Sequence, residues 1–272
     1  MLSTIRKSGW VLELFDVQHP ERGVSEVATS LRIPKSSAHE LLSTMADVGL
    51  LRRTATGRYR LGWKILGLSH VLVSSTELLA EARPVMTELV RRYGENVHLA
   101  VLDGDLVTYV EKVQGTRAIQ IAVTWVGSRL PAHCSAVGKV LLASRPWTEV
   151  EEILERQGMR PLTPRTTRTP ARLRAELEEV TAVGFAYDLE EAVPDLCCVA
   201  APIYDYTQQV IAAISLSVPA YRFHRSRDVY REAIVAAARA ISRNMGYRPG
   251  TARGPVARPW VSPAPGRLAA GS

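Results

Sequence analysis

Through the first third of the chain apolar residues recur every three to four positions, and from about Val97 they alternate, so helices come first and a sheet follows. Ile5, Val11, Leu12, Leu14 and Phe15 give the apolar set of a first helix, and Val24 to Ser30 gives a second. That second helix is broken at Arg32-Ile33-Pro34, because a proline disfavours helical geometry at the residue before it. A third helix is predicted from about Lys35 to Val48. Its Ala38, Leu41, Leu42, Met45 and Val48 fall on one stripe of a 3.6-residue period, and Gly49 closes it as a C-cap. Ser36, Glu40, Ser43 and Asp47 occupy the other face, with Lys35 and His39 near the start; Ser37 reads as polar but can face the core. Leu50 to Arg53 and Arg58 to Leu61 then flank Thr54-Ala55-Thr56-Gly57, a hairpin with a glycine-bearing loop.

Lys64 to Tyr93 reads as a long helical connector. Ile65, Leu66, Leu68, Val71, Leu72 and Val73 leave it no clean polar face, and a helix apolar all round has to be buried. Beside a small head that burial requires a second copy of the chain, so a homodimer is expected, with Pro84 as a second helix start or a kink. Beyond it, His98 to Leu102 and Leu106 to Val110 form a hairpin about Asp103-Gly104-Asp105. Further strands are predicted at Ile119 to Val123, Cys197 to Ile203 and Val210 to Val218. A helix is predicted over Ala132 to Ala143, and helix starts at the Thr148-x-x-Glu151 capping box and at Thr169-Pro170. A closing helix runs from Val229 to Met245, ended by Gly246. Antiparallel hairpins mixed with helices make the body an α+β domain. Residues 248–272, rich in Pro, Gly and Ala without a period, read as a disordered tail.

Charge sharpens the head. The formal net charge is +7. Residues 1–65 hold 10 Lys/Arg against 6 Asp/Glu, residues 248–272 hold four Arg and no acid, and the body between them is close to neutral. Two short helices around a turn, followed by a basic ribbon, present one helix to the DNA major groove and a β-wing to the backbone beside it, the layout of a winged helix-turn-helix. Four arginines on one small ribbon would repel each other without a polyanion. The candidates for contact with double-stranded operator DNA are Lys35, Ser36, Ser37, His39, Glu40 and Ser43 on the third helix, with Arg52, Arg58 and Arg60 on the wing, where charge governs phosphate binding. No run of about 18 apolar residues exists, so no membrane span is expected. The N-terminus is too acidic and interrupted for a secretory signal, and three cysteines make no disulfide framework; a cytoplasmic location follows.

Several segments at matching separations resemble one family, the IclR-type transcriptional regulators. In the head these are LRIPKSSAHELLSTM and GRYRLG. In the body they are VHLAVLDGDLVTYVEKV, GSRLPAHCSAVGKVLLA, GFAYDLEEAVPDLCCVAAPI and VIAAISLSVPAYRF. The resemblance runs from the first helix to Gly246. It implies a winged helix-turn-helix over 1–62, a helical linker and dimerisation region over 63–93, and a GAF-like α/β effector domain with a mainly antiparallel sheet over 94–247. It also implies a dimer or tetramer that represses or activates nearby operons in response to a small molecule, with no cofactor and no catalysis.

The family's pocket maps onto Cys134, Ser135, Ala136 and Val137 at a helix start, Asp188 and Cys198, and Ser215 and Ser217, two apart on one strand and so on one face. Only one of Cys197 and Cys198 can look into it, and the resemblance selects Cys198. Hydroxyls beside a helix N-terminus suit a small carboxylate, with Asp188 taking a hydroxyl or amine. Three departures stand out: Glu40 where a basic residue is usual, Asp195 where Gly is usual, and Cys197 where Arg is common. A carboxylate at position 40 repels phosphate and among base edges accepts only from cytosine N4, so the operator sequence is the chain's own. Two other readings of the same residues are a Cys198-His133-Asp188 hydrolase and a metal site of His133, Cys134, Asp188 and Cys198. The first lacks a strand-turn-helix elbow, and the second lacks a metal-ligand spacing.

Overall fold

The computed structural model describes residues 3–74, 77–117 and 124–249. The chain divides between Thr76 and Glu77 into two compact units. The expected strand at Ile119 to Val123 and nearly all of the expected tail lie outside the described residues.

The first unit holds helices α1 (Ser3–Glu13), α2 (Val24–Leu31) and α3 (Lys35–Asp47), strands β1 (Leu51–Arg53) and β2 (Tyr59–Leu61), and helix α4 (Lys64–Ser74). Arg32 ends α2 in the left-handed conformation, with φ 52°, and its amide reaches back to Ala28 and Thr29. Three residues later α3 begins, so the turn between the two helices is tight. Val11, Val27, Ala28, Ala38, Leu41, Leu42, Met45, Leu51 and Tyr59 form the core of this unit. Gly49 closes α3 at φ +81°, a conformation glycine adopts without the Cβ penalty. The wing strands pair antiparallel, Leu51 against Leu61, and a lone bridge from Arg22 to Tyr59 ties the other edge of β2 to the segment ahead of α2.

Two expectations about this unit need correction. Ile5 is 68% exposed; it lies in the first turn of α1, and the core reaches that helix only at Val11. Ser37 is exposed as well, one position ahead of the buried Ala38.

The second unit begins with α5 (Glu77–Tyr93). Pro84 lies inside this helix rather than at a start, since the helix begins seven residues earlier. A six-stranded sheet follows, built of β3 (Asn96–Asp103), β4 (Leu106–Val113), β5 (Arg129–Pro131), β6 (Ala186–Leu189), β7 (Leu196–Tyr204) and β8 (Val210–Pro219). Its order is β5-β4-β3-β8-β7-β6, and every pairing is antiparallel. α5, α9 (Ala220–Phe223) and α10 (Arg227–Asn244) cover one face, sharing a core with Leu99, Val199, Ile214 and Leu216. α6 (Ala136–Ala143), α7 (Trp147–Gln157) and α8 (Pro170–Val183) cover the other, sharing a core with Ala100, Ala186, Ala200 and Ala213. Small residues on that second face let α6 lie close to the strands.

Two helix starts differ from the expectation. Ala132–Cys134 form a 3₁₀ turn, and α6 starts only at Ala136, because Ser135 is extended and caps it by accepting from the Gly138 amide at 3.2 Å. α7 starts at Trp147, after Pro146, so Thr148 lies inside the helix and is not its cap. Thr169 does cap α8, with Pro170 in its first turn. Among the described residues no helix is long and apolar enough to cross a membrane.

Candidate functional site

The register of the sheet sets the chemistry of its α6 face. Residues opposed across antiparallel strands share a face. Asp188 pairs with Cys198, Cys198 with Ser217, and Ser217 with Asn96, a polar row across four strands. The next row is Ala186, Ala200, Ser215 and His98, half of it alanine. α6 settles over the alanines, and a cavity remains over the polar row. Its walls include His98, Tyr109, Ser135, Ala136, Val137, Asp188, Cys198, Ser215 and Ser217, with Leu130, Val193 and Leu196 as the apolar part.

Within this cavity the polar groups are chained. Thr124 Oγ1 lies 3.1 Å from His98 Nε2, His98 Nδ1 lies 3.3 Å from Ser217 Oγ, and Ser217 Oγ lies 3.2 Å from Cys198 Sγ. Burial, with Lys112 nearby, lowers the His98 pKa to about 3, so the imidazole is neutral at ordinary pH, one nitrogen donating and the other accepting. Burial raises the Cys198 thiol well above its ordinary value, as it does the Tyr109 phenol. These are positioned neutral donors and acceptors, not activated nucleophiles.

Asp188 is the acidic exception. Its Oδ1 accepts from the Glu191 amide at 2.7 Å and from the Ala192 amide at 3.4 Å, yet burial outweighs those bonds and pushes its pKa up to about 7. At the helix end, the first amides of α6 have no partner within the helix. Ser135 takes Gly138; Ala136 and Val137, the first residues of α6, line the cavity, at the positive end of the helix dipole. Gly138 is required for another reason: a Cβ there would stand 2.1 Å from the Ala132 carbonyl oxygen, so only glycine lets the 3₁₀ turn fold back on α6. One turn along, Lys139 is buried and bonds Glu191 at 2.6 Å and Glu176 at 2.8 Å. Burial alone would lower the Lys139 pKa, but the two carboxylates raise it.

Seven of the eight expected pocket residues line the cavity. Cys134 does not; its Sγ donates to the Pro131 carbonyl at 3.2 Å. His133 is likewise turned away, its Nε2 lying 3.3 Å from the Arg160 carbonyl, so no Cys198-His133-Asp188 triad is assembled. His98, Tyr109 and Thr124 were not foreseen. Alternation along His98-Leu99-Ala100 carries the signal for His98, but it becomes legible only once that strand is known to lie beside Ser215. Among the described residues, the group of side chains that could hold a metal ion is a different one, Glu190, Cys197 and His224.

On the head, Lys35, Ser36, Ser37, His39 and Glu40 are exposed along α3, and Ser43 is partly so. The wing arginines divide into two kinds. Arg58 bonds both carboxylate oxygens of Glu26 at 2.8 Å, and Arg60 bonds Glu21 at 2.7 Å. Their mutual repulsion is thus relieved within the head itself. Arg52 and Arg53 are exposed and make no ion pair among the described residues; Arg52 lies over the Trp63 ring, 5.5 Å from its centre.

The bacterial IclR C-terminal domain model matches residues 70–243, and the IclR helix-turn-helix domain model matches residues 4–55. The chain is 34% identical over 249 residues to the HTH-type transcriptional regulator XynR of Escherichia coli, covering 91% of this chain and 98% of that one. It is 32% identical over 244 residues to the regulator KdgR of the same species, covering 87% of this chain and 92% of KdgR. Among solved structures, an IclR homologue from Microbacterium hydrocarbonoxydans complexed with 4-hydroxybenzoate superposes with a TM-score of 0.79 at 28% identity, over 89% of this chain and 99% of that one. Thermotoga maritima IclR superposes with a TM-score of 0.70 at 29% identity, over 91% and 100%. An α3 with its exposed polar face, an arginine wing and a sheet domain with a small cavity match the parts of these DNA-binding regulators, and the chain belongs to the IclR family of bacterial transcriptional regulators, which are not enzymes.

Proposed function

We propose that the chain reads operator DNA through α3 and the wing, and that a small organic acid held in the cavity over the polar row sets its DNA affinity. The observation that carries this reading is that the first residues of α6, Ala136 and Val137, line one cavity together with Ser217, His98 and Asp188. Two helix-terminal amides accept a carboxylate, while the serine, imidazole and aspartyl groups take hydroxyls or an amine. Leu130, Val193, Leu196 and Tyr109 suit a compact apolar body between them. The complex of the Microbacterium relative with 4-hydroxybenzoate supports a ligand of this class. The cavity volume is about 30 Å³, well below the roughly 300 Å³ at which small-molecule pockets begin, so a ring-sized acid enters by displacing side chains. That movement is the means by which binding reaches the rest of the chain.

On the head, Lys35, Ser36, Ser37, His39, Glu40 and Ser43 face the groove. Arg52 supplies a phosphate contact, while Arg58 and Arg60 hold the wing in shape through Glu26 and Glu21. Oligomerisation runs through α4, where Leu66, Leu68 and Val71 are 64%, 52% and 63% exposed, with Trp63 beside them at 73%. Apolar side chains so placed on one short helix favour a second copy as their cover. A cytoplasmic homodimer, or a dimer of dimers, accommodates all of this.

Capture of genomic fragments by the purified protein over a salt series, with and without aromatic, sugar and keto acids, tests the reading. One or a few promoter fragments retained at low salt and released by an acid would support it. Uniform weak retention insensitive to every acid would refute it.

A further inference from the structure

We propose that Glu190, Cys197 and His224 form a binding site for a thiophilic divalent metal ion of the zinc class, on the side of the sheet away from the effector cavity. Cys197 and Cys198 are neighbours on β7 and so point to opposite faces; Cys198 lines the cavity and Cys197 belongs to the core beneath α5 and α10. Glu190 leads the loop that returns from β6 to β7, and His224 follows α9. A carboxylate oxygen of Glu190, the Cys197 sulfur and a ring nitrogen of His224 all lie within 4.8 Å of one another. In a tetrahedral zinc shell, with bonds of about 2.0–2.3 Å, neighbouring donors stand about 3.3–3.8 Å apart. An inward shift of about 1 Å closes the shell, and the exposed His224 is free to make it.

The three donors differ in how firmly they are held. Cys197 is fully buried and fixes the sulfur. Glu190 is oriented by the Asp195 amide and the Arg165 guanidinium, each 3.1 Å from one of its oxygens. Each carboxylate oxygen has a second lone pair to offer, so those bonds persist as support behind a bound ion. His224 opens the site to solvent and leaves a fourth position for water. Sulfur, imidazole nitrogen and carboxylate oxygen together select zinc or cobalt over magnesium or calcium. On binding, the Cys197 thiol loses its proton to solvent and the metal–sulfur bond forms. Because that proton must leave, affinity rises with pH. Glu191 follows Glu190 in the chain and bonds Asp188 through its amide, so an ion here would brace the loop that also shapes the cavity.

Cobalt titration of the full-length, metal-free, reduced protein tests the site. One equivalent per chain, with a near-ultraviolet thiolate-to-cobalt band and the visible bands of a tetrahedral ion, is expected. The band should disappear in Cys197→Ser, persist in Cys198→Ser, and require at least tenfold more cobalt in His224→Gln. His224 is exposed, so that variant keeps the readout independent of folding. Absence of the band in the parent, its loss in Cys198→Ser but not in Cys197→Ser, or unchanged affinity in His224→Gln would each overturn the proposal.

Discussion

The amide of Glu191 donates to Oδ1 of Asp188 over 2.7 Å, while the carboxylate of the same Glu191 takes a 2.6 Å bond from the Lys139 ammonium. A change at Asp188 therefore reaches α6 from two sides: through the cavity, which the N-terminus of α6 lines, and through Lys139 one turn along.

Asp188 makes the stability of the sheet domain pH-dependent. Its pKa rises from 3.8 to about 7 on folding, so between those values the folded chain holds a proton that the unfolded chain has released. Stability thus falls as pH climbs from about 4 to about 7 and then levels off, by at most about 4 kcal/mol. Asp188→Asn removes that cost while still offering an oxygen to the Glu191 amide. Denaturant midpoints at pH 8 should be higher in the variant than in the parent, with the gap closing toward pH 4. A gap that does not change with pH would contradict the assignment.

Gly138→Ala places a methyl group 2.1 Å from the Ala132 carbonyl oxygen, against backbone that cannot swing away. A loss of about 3 kcal/mol is expected, as for other substitutions that force backbone apart. For a unit of this size that lowers the melting temperature by roughly 6–12 °C. A melting curve within a degree or two of the parent would mean that the 3₁₀ turn and α6 are not packed as described.

Leu66→Glu introduces a charge into the exposed apolar set of α4. Sedimentation velocity should show the assembly falling to monomers, or to the next smaller species, at concentrations where the parent is uniform. An unchanged sedimentation coefficient would locate the interface elsewhere.

The wing arginines should separate by their salt response. Arg52→Ala removes a cation that neutralises phosphate and should flatten the slope of log affinity against log salt by about 0.9 for each chain bound, about 1.8 for a dimer. Arg58 is already neutralised by Glu26, so Arg58→Ala should weaken binding through the shape of the wing and leave the slope nearly unchanged. Equal flattening in the two variants would show that Arg58 exchanges its glutamate for a phosphate.

Much of this arrangement is legible in the sequence, and the exceptions have physical causes. The stripe Ala38, Leu41, Leu42, Met45 gives α3, since each of these is buried at helical spacing. Thr169-Pro170 gives the start of α8. β6 escapes because four residues, Ala186–Leu189, are too few for alternation to register. The start of α6 is displaced because Ala132 to Ala143 is apolar throughout, and the extended Ser135 is visible only from its bond to Gly138. The strand run of Asp188, Cys198 and Ser217 can be listed from motifs, but their shared row depends on register, which no local pattern encodes. For the same reason Glu21 and Glu26, distant in sequence from Arg58 and Arg60, give no sign that they neutralise the wing. Asp195 is the reverse case: it stands at φ 59°, which explains why glycine is usual there, and a short polar side chain tolerates the strain.

Under the proposed function, binding of an organic acid in the cavity and of DNA on the head are linked. The most direct test is a pair of titrations on one captured promoter fragment: DNA affinity with and without the acid, and acid affinity with and without the fragment. Linkage requires the two factors to be equal, and regulation of this kind places them between about 5 and 150. Equal factors in that range, both abolished by Ser217→Ala, are the expected result. An acid that binds the cavity tightly yet leaves DNA affinity unchanged would rule out regulation through this cavity.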